Sequence, residues 1–297
     1  MKKILIIFVI LVFICLFTSC VPTQPTSTSS STHIVTPTAL PTERYTSGLV
    51  VHFIDVGQAD ASLVLCDGHS MLIDGGNAAD SNLIAAYLKK QNISTLDYAI
   101  CTHAHEDHVG GLSGALSVVS VNTVLAPKTE DDTRAYQNFK QKVLEQGLTI
   151  QHPSAGDGFT LGSSKVQIVG PVDENTDDLN NTSIVMKLAY GSTSFLFAGD
   201  AEKDEENDII KAGYDLSADV IKVGHHGSNT STGYVWLREI MPKYAVISVG
   251  KNNRYGHPNE KTLSRLSDAD VKLYRTDLQG DIIAVSDGNN ITFTTSR

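Results

Sequence analysis

From residue 49 onward, short apolar runs alternate with polar turns at lengths suited to strands and helices. Runs at 49–56, 61–66 and 70–74 predict three strands, and Asp67-Gly68 between the last two is a dipeptide of tight hairpins. A helix is predicted at about 80–91, and the apolar run Tyr98-Ala99-Ile100-Cys101 reads as a buried strand. Beyond it the pattern predicts helices at 109–119 and 133–146, with strands at 123–126, 149–152, 166–169, 183–188 and 194–197. Helices at 202–212, 234–241 and 259–267 then interleave with strands at 220–223, 245–248 and 272–274, and strands at 281–286 and 291–295 close the chain. Early hairpins followed by alternating elements suit two sheets between helices, although periodicity alone reaches only the α/β class.

The first 47 residues follow a different pattern. Met1-Lys2-Lys3 is a basic start, and the unbroken apolar run at 4–17 is short for a membrane span, so 1–19 reads as a secretory signal. Its end, Leu16-Phe17-Thr18-Ser19-Cys20, is similar to the bacterial lipobox, with Phe17 where an aliphatic residue is usual. That similarity implies a lipid on Cys20; an ordinary secreted protein and an uncleaved anchor are the alternatives. Residues 20–47 are rich in Ser, Thr and Pro, with Pro22, Pro25, Pro37 and Pro41. So little apolar surface cannot offset the entropy of ordering, so this stretch reads as a disordered linker holding the rest off a membrane. Residues 48–297 remain as one globular domain.

Composition narrows the function. The chain has 297 residues, 41% of them hydrophobic, which is enough for a sizeable core. Its net charge of −10 becomes more negative once Lys2 and Lys3 leave with the signal. Such a surface does not draw in a polyanion from a distance, so a nucleic acid would have to be held by local lysines and by metal. Of four cysteines, Cys15 and Cys20 belong to the signal. Cys66 and Cys101 sit in apolar runs and read as structural thiols, with a disulfide left open.

The chemistry concentrates in Cys101-Thr102-His103-Ala104-His105-Glu106-Asp107-His108-Val109-Gly110-Gly111. Alternate residues of an extended segment face the same way, so His103 and His105 can converge on one ion. After a turn, Asp107 and His108 can reach a second. Imidazole and carboxylate suit zinc, manganese or iron(II), whereas a calcium cage is built mainly from oxygen. The glycine pair removes bulk where a following helix would pack close to the site. A polar loop that happens to hold three histidines is the bland alternative. Asp74, at the end of a predicted strand, reads as a cap for the helix after it.

The motif resembles the metallo-β-lactamase superfamily. His52-Phe53-Ile54-Asp55-Val56-Gly57-Gln58-Ala59-Asp60-Ala61, Asn180-Asn181-Thr182-Ser183-Ile184-Val185, Phe197-Ala198-Gly199-Asp200 and Lys222-Val223-Gly224-His225-His226-Gly227-Ser228 are similar to the hydrolase domain of ComEC competence proteins, over roughly 49–294. The resemblance implies a four-layer αββα sandwich holding two divalent metal ions, zinc or manganese. It implies His103 and His105 on one ion, Asp107, His108 and His225 on the other, and Asp200 bridging them. Asn180 and Asn181 stand where many members carry a further histidine, which weakens the first site. His226 is expected to point elsewhere, toward a neighbouring ligand or the substrate. Asp55, Asp60, Asp74, Ser228 and Asn229 are expected to support the ligands or contact substrate, with turn roles equally open for Ser228 and Asn229. For Asp74 the resemblance implies a brace for the metal loop, against the reading as a cap. Asp107 would share in catalysis, and His257, in a turn-rich loop, is the candidate to protonate the leaving group, against a plain exposed loop histidine.

Such a pair of ions would ionise a water that attacks phosphorus or a carbonyl. The leading expectation is an extracytoplasmic, lipid-anchored metal-dependent phosphodiesterase acting on DNA. Cleavage of surface polymers such as teichoic or phosphocholine-bearing acids is the second reading, lactam or lactone hydrolysis a weaker one, and an inactive surface binding protein the reading from another class. The expected partners are the phosphodiester substrate and, through Cys20, the membrane; the sequence points to no obligate protein partner.

Overall fold

The computed structural model describes residues 47–174 and 176–297. The expected signal, Cys20 and all but the last residue of the expected linker lie outside the described residues. The early apolar runs become β1 (Leu49–Phe53), β2 (Ser62–Cys66) and β3 (His69–Ile73), an antiparallel set in which Leu49 faces Cys66 and Ser62 faces Ile73. β4 (Thr95–Ile100), β5 (Ser120–Leu125) and β6 (Ile150–Gln151) then add in parallel, as crossover connections require.

A second sheet begins with the antiparallel β7 (Gly158–Leu161), β8 (Ser164–Gly170), β9 (Val185–Tyr190) and β10 (Thr193–Phe197). It continues in parallel through β11 (Val220–Lys222), β12 (Tyr244–Ile247) and β13 (Lys272–Arg275). β14 (Ile282–Ser286) and β15 (Ile291–Thr295) return to the first sheet beside β1, giving one sheet of eight strands and one of seven.

Burial on both faces of the strands generates the layers. In β1, Val50 packs outward against α1 (Ser81–Lys90) and its neighbours, while Leu49, Val51 and Phe53 fill the space between the sheets. On the first sheet's outer side lie α2 (Glu106–Val109), α3 (Leu112–Leu116) and α4 (Arg134–Glu145), whose Tyr136 and Phe139 are buried there. The second sheet's outer face carries α5 (Lys203–Ala212), α6 (Tyr234–Ile240) and α7 (Glu260–Asp268), around Ile209, Trp236 and Leu266. The result is the expected αββα sandwich.

Three differences from the periodic reading have local causes. The helix predicted at 109–119 is divided into α2 and α3, because Gly110 and Gly111 lie against the backbone of residues 75–78; a Cβ at Gly111 would overlap the Gly75 carbonyl, and one at Gly110 the Ala78 amide. β7, four residues with only Leu161 fully buried, has too little apolar content to read as a strand. α8 (Thr276–Gln279) is too short to show a period. Cys66 and Cys101 are free and buried in different layers; the Cys101 thiol donates to the His103 carbonyl at 2.9 Å. Among the described residues no helix is long and apolar enough to cross a membrane.

Candidate metal centre

The motif loop leaves β4 at Cys101 and is tied at once to the end of β3. Asp74 Oδ1 accepts from the Thr102 amide and Oδ2 from the Thr102 hydroxyl, each at 2.8 Å, and Oδ2 lies 2.9 Å from His108 Nδ1. Asp74 adopts φ 58°, which turns its carboxyl under the loop. It caps no helix: Asn77 precedes the single turn at Ala78–Asp80, and Asp80 precedes α1. Of its two readings, the structure selects the brace. With Nδ1 occupied, His108 presents Nε2 outward, and His103 Nε2 faces His105 Nδ1 at 2.9 Å, as two nitrogens aimed at one point would.

The other wall comes from the second sheet. Gly199 turns the chain after β10, and the Asp200 amide donates to Ser183 Oγ at 3.0 Å. Asp200 Oδ1 lies 3.3 Å from His108 Nε2, and Oδ2 lies 3.6 Å from His226 Nε2, 3.8 Å from His225 Nε2 and 4.0 Å from His103 Nε2. It therefore stands between the two halves of the motif. Glu202, not Asp200, is the cap of α5.

His225 and His226 reverse the expected division of labour. Both have left-handed backbone, with φ 48° and 51°, and this tight turn swings His226 inward. His226 Nδ1 donates to the Ser248 carbonyl at 3.0 Å, leaving Nε2 3.3 Å from Asp107 Oδ2. His226 thus joins Asp107 and His108, whereas His225 lies at the edge, its Nδ1 3.0 Å from Glu202 Oε1. Four nearly or fully buried atoms, His108 Nε2, His226 Nε2, Asp200 Oδ1 and Asp60 Oδ1, have no hydrogen-bond partner among the described residues. Buried polar atoms without partners are rare, and a set of two imidazole nitrogens and two carboxylate oxygens suits a divalent cation.

Charge is balanced inside this cluster. Burial opposes a charge on His108, yet Asp200 and Asp74 hold its pKa well above the usual imidazole value. Burial likewise opposes a charge on His226, but Asp200 and Asp60 push it up to about 10. His103, buried and beside His108, is depressed well below the usual value. Asp107, despite its burial, is lowered to about 2 by His226 and His108.

A profile of the metallo-β-lactamase superfamily matches residues 54–251. The chain belongs to this superfamily. Within it, the relatives in sequence are ComEC-like: ComE operon protein 3 of Bacillus subtilis is 31% identical over 78% of this chain and 32% of its own length. Competence protein ComA of Neisseria gonorrhoeae is 32% identical over 76% of this chain and 30% of its own length. The chain therefore spans about a third of these relatives. Among solved structures, the fold is shared with the metallo-β-lactamase fold protein YhfI of Bacillus subtilis, at TM-score 0.51 and 16% identity over 81% of this chain and all of that one. It is also shared with CmlA, a diiron β-hydroxylase from Streptomyces venezuelae, at TM-score 0.53 and 12% identity over 84% of this chain and 54% of that one.

The remaining expected positions divide. Asp60 lies beside the centre, bound to Lys222 Nζ at 2.7 Å and 3.5 Å from His226 Nδ1. Asp55 does not; it pairs with Arg297 and accepts from the Gly57 amide, at the far end of the same loop. The Asn181 oxygen accepts from the Glu202 amide at 2.9 Å, whereas Asn180 Oδ1 is buried without a hydrogen-bond partner among the described residues. Ser228 Oγ pairs with Thr230 Oγ1, and the Asn229 carbonyl accepts from Lys203 and Arg265, so both serve the local turn.

His257 does line the cavity of about 360 Å³ over the centre, together with His105, His225, Tyr255 and Gln58. Burial, with His225 and His226 nearby, lowers it to about 4, so at neutral pH it is an uncharged imidazole and not the charged acid expected. Sequence reasoning missed Thr102, Glu202 and Lys222. Only Lys222 carried a signal, a charge inside the apolar run Val220-Ile221-Lys222-Val223.

Proposed function

We propose that this metallo-hydrolase fold is a divalent-metal phosphodiesterase acting on DNA outside the cytoplasm, tethered through a lipid on Cys20. The observation that carries the reading is the position of the Asp200 carboxylate, within 4.0 Å of His103, His108 and His226 at once. His103 and His105 would hold one cation, Asp107, His108 and His226 a second, with Asp200 shared. When bound, such cations supply Lewis acidity and a water acidified toward neutral pH. Asp74 and Thr102 fix the His108 ring, the Ser248 carbonyl fixes the His226 tautomer, and Asp60 with Lys222 backs that ring. His225, tethered at Nδ1 by Glu202, turns Nε2 toward the site and can hand a proton to a leaving oxygen. His257 packs edge-on against it, with ring centroids 5.6 Å apart.

The DNA assignment draws support from the competence proteins among the relatives and from Tyr255, a 56% exposed aromatic at the cavity mouth on which a base can stack. The experiment compares bis(p-nitrophenyl) phosphate, single-stranded DNA, double-stranded DNA and teichoic acid, with metal content measured and His103→Ala and Asp200→Ala as controls. Turnover of teichoic acid alone replaces DNA by a surface polymer. Purified protein that binds no metal and turns over nothing replaces the enzyme by a binding protein.

A further inference from the structure

A second cavity, of about 440 Å³, lies on the other side of the Asn229–Thr230 segment from the metal centre, and Lys203, Lys261 and Arg265 line it. Two consecutive residues link the two regions. Thr230 Oγ1 bonds Glu202 Oε1 at 2.8 Å, on the side of His225, while the Asn229 carbonyl accepts from Lys203 Nζ at 2.6 Å, on the side of the second cavity. Glu202, which tethers His225, and Lys203, which lines the second cavity, are consecutive residues.

The charges of this cavity are unbalanced. Arg265 is only 5% exposed, and its five donors go to the carbonyls of Lys261, Ser231, Thr232 and Asn229 and to Thr262 Oγ1. Neither Arg265, Lys203 nor Lys261 has a carboxylate within 4.0 Å among the described residues. A buried cation normally has an anionic partner. Two acids stand near these three cations: Glu206, whose carboxyl accepts from the Thr232 and Gly233 amides beneath, and Asp268, which accepts from the Tyr234 hydroxyl. In a chain of net charge −10, three cations lining one cavity are a local concentration of positive charge.

We propose that this cavity binds a phosphate of the substrate strand adjacent to the one at the metal centre, so that the chain takes hold of a polymer rather than a single ester. The inference rests on the phosphodiesterase reading for the word substrate, but the anion site itself does not. The Lys203 and Lys261 ammonium groups make the contact, and Arg265, its donors spent on four carbonyls and the Thr262 hydroxyl, supplies fixed charge beneath. Two neighbouring phosphates, one at each site, orient the strand across His225 and Tyr255.

The test uses a fluorescent ten-residue oligothymidylate, with binding followed by anisotropy on the metal-free chain across a salt series and turnover followed on the metal-loaded one. The variants are Lys261→Met, Lys261→Glu and the double change Lys203→Met with Lys261→Met. The double variant is expected to weaken binding by about tenfold and to reduce the salt slope by about 0.7 for each lysine removed, with Lys261→Glu weaker than Lys261→Met. Turnover of bis(p-nitrophenyl) phosphate, which has one phosphate, should stay within about twofold of the parent. Unchanged oligothymidylate affinity and salt slope in both Lys261 variants would overturn the proposal. Should Lys203→Met disturb small-ester turnover through Asn229, the Lys261 variants decide alone, since that ammonium makes no hydrogen bond or ion pair among the described residues. A parent that turns over no phosphodiester defeats the functional reading, while anisotropy still decides the cavity.

Discussion

Lys222 Nζ lies 2.7 Å from Asp60 Oδ2, both side chains at most 6% exposed, in an ion pair that crosses from the second sheet to the loop between β1 and β2. Desolvation of each charge is offset chiefly by the other, with help from the Val223 carbonyl at 3.0 Å for Lys222 and from His226 at 3.5 Å for Asp60. Removing one partner strands the other. Lys222→Met is expected to destabilise the fold by about 3 to 5 kcal/mol, and Lys222→Met with Asp60→Leu by clearly less. Denaturant unfolding of the three proteins checks this; equal losses in the single and double variants would show that the pair itself does not matter.

Asp74 acts on the centre through His108 and Thr102 without reaching the cavity. Asp74→Asn keeps the size but loses the charge that orients His108. The expected result is a 10- to 100-fold loss of metal affinity with circular dichroism unchanged, measured by titration with zinc.

Asn180 and Asn181 are distinguished by what their amides already do. The Asn181 oxygen is committed to the Glu202 amide, and the Asn180 oxygen to nothing among the described residues. Asn180→His is expected to tighten metal binding by about tenfold, imidazole being the better ligand. Asn181→His instead releases the start of α5 and should lower the melting temperature without tightening metal.

Metal should stabilise the folded chain by mass action. Zinc or manganese at one hundred times its dissociation constant is expected to add about 2.7 kcal/mol, reversed by chelator, as read from unfolding midpoints. His103→Ala and Asp200→Ala should abolish the increment.

Burial raises the Glu206 carboxyl to about 7 from the usual 4.5, against hydrogen bonds from Gly233 and Thr232. The folded state therefore holds this proton more tightly than the unfolded one. The associated stability is fully present below pH 4.5 and is lost as pH rises through about 7, a change of roughly 3 kcal/mol. Glu206→Gln should flatten the pH dependence of unfolding in that window. An unaltered slope would assign the dependence elsewhere.

Much of this was legible because the chain repeats its signals. The apolar runs located nearly every strand, and the His-x-His-x-Asp-His spacing placed His103, His105, Asp107 and His108 on one loop before any coordinates. What escaped was set by tertiary geometry. Which of two adjacent histidines enters the centre depends on left-handed φ at both His225 and His226, and the residue types on their own do not fix that sign. Asp55 and Asp60 share a loop, but Arg297, 242 residues away, draws Asp55 aside. The neutral state of His257 follows from burial under neighbours that sequence cannot count.

The contact of Gly110 and Gly111 with the backbone of residues 75–78 carries one more meaning. Peptide planes, unlike side chains, have no alternative rotamers to retreat into, so Asp107 and His108 inherit their position from a joint with almost no play. A nest fixed that firmly cannot swell or shrink to suit its guest. Discrimination among cations by radius and preferred geometry would then be a property of stiffness in two loops as much as of the identity of the donors.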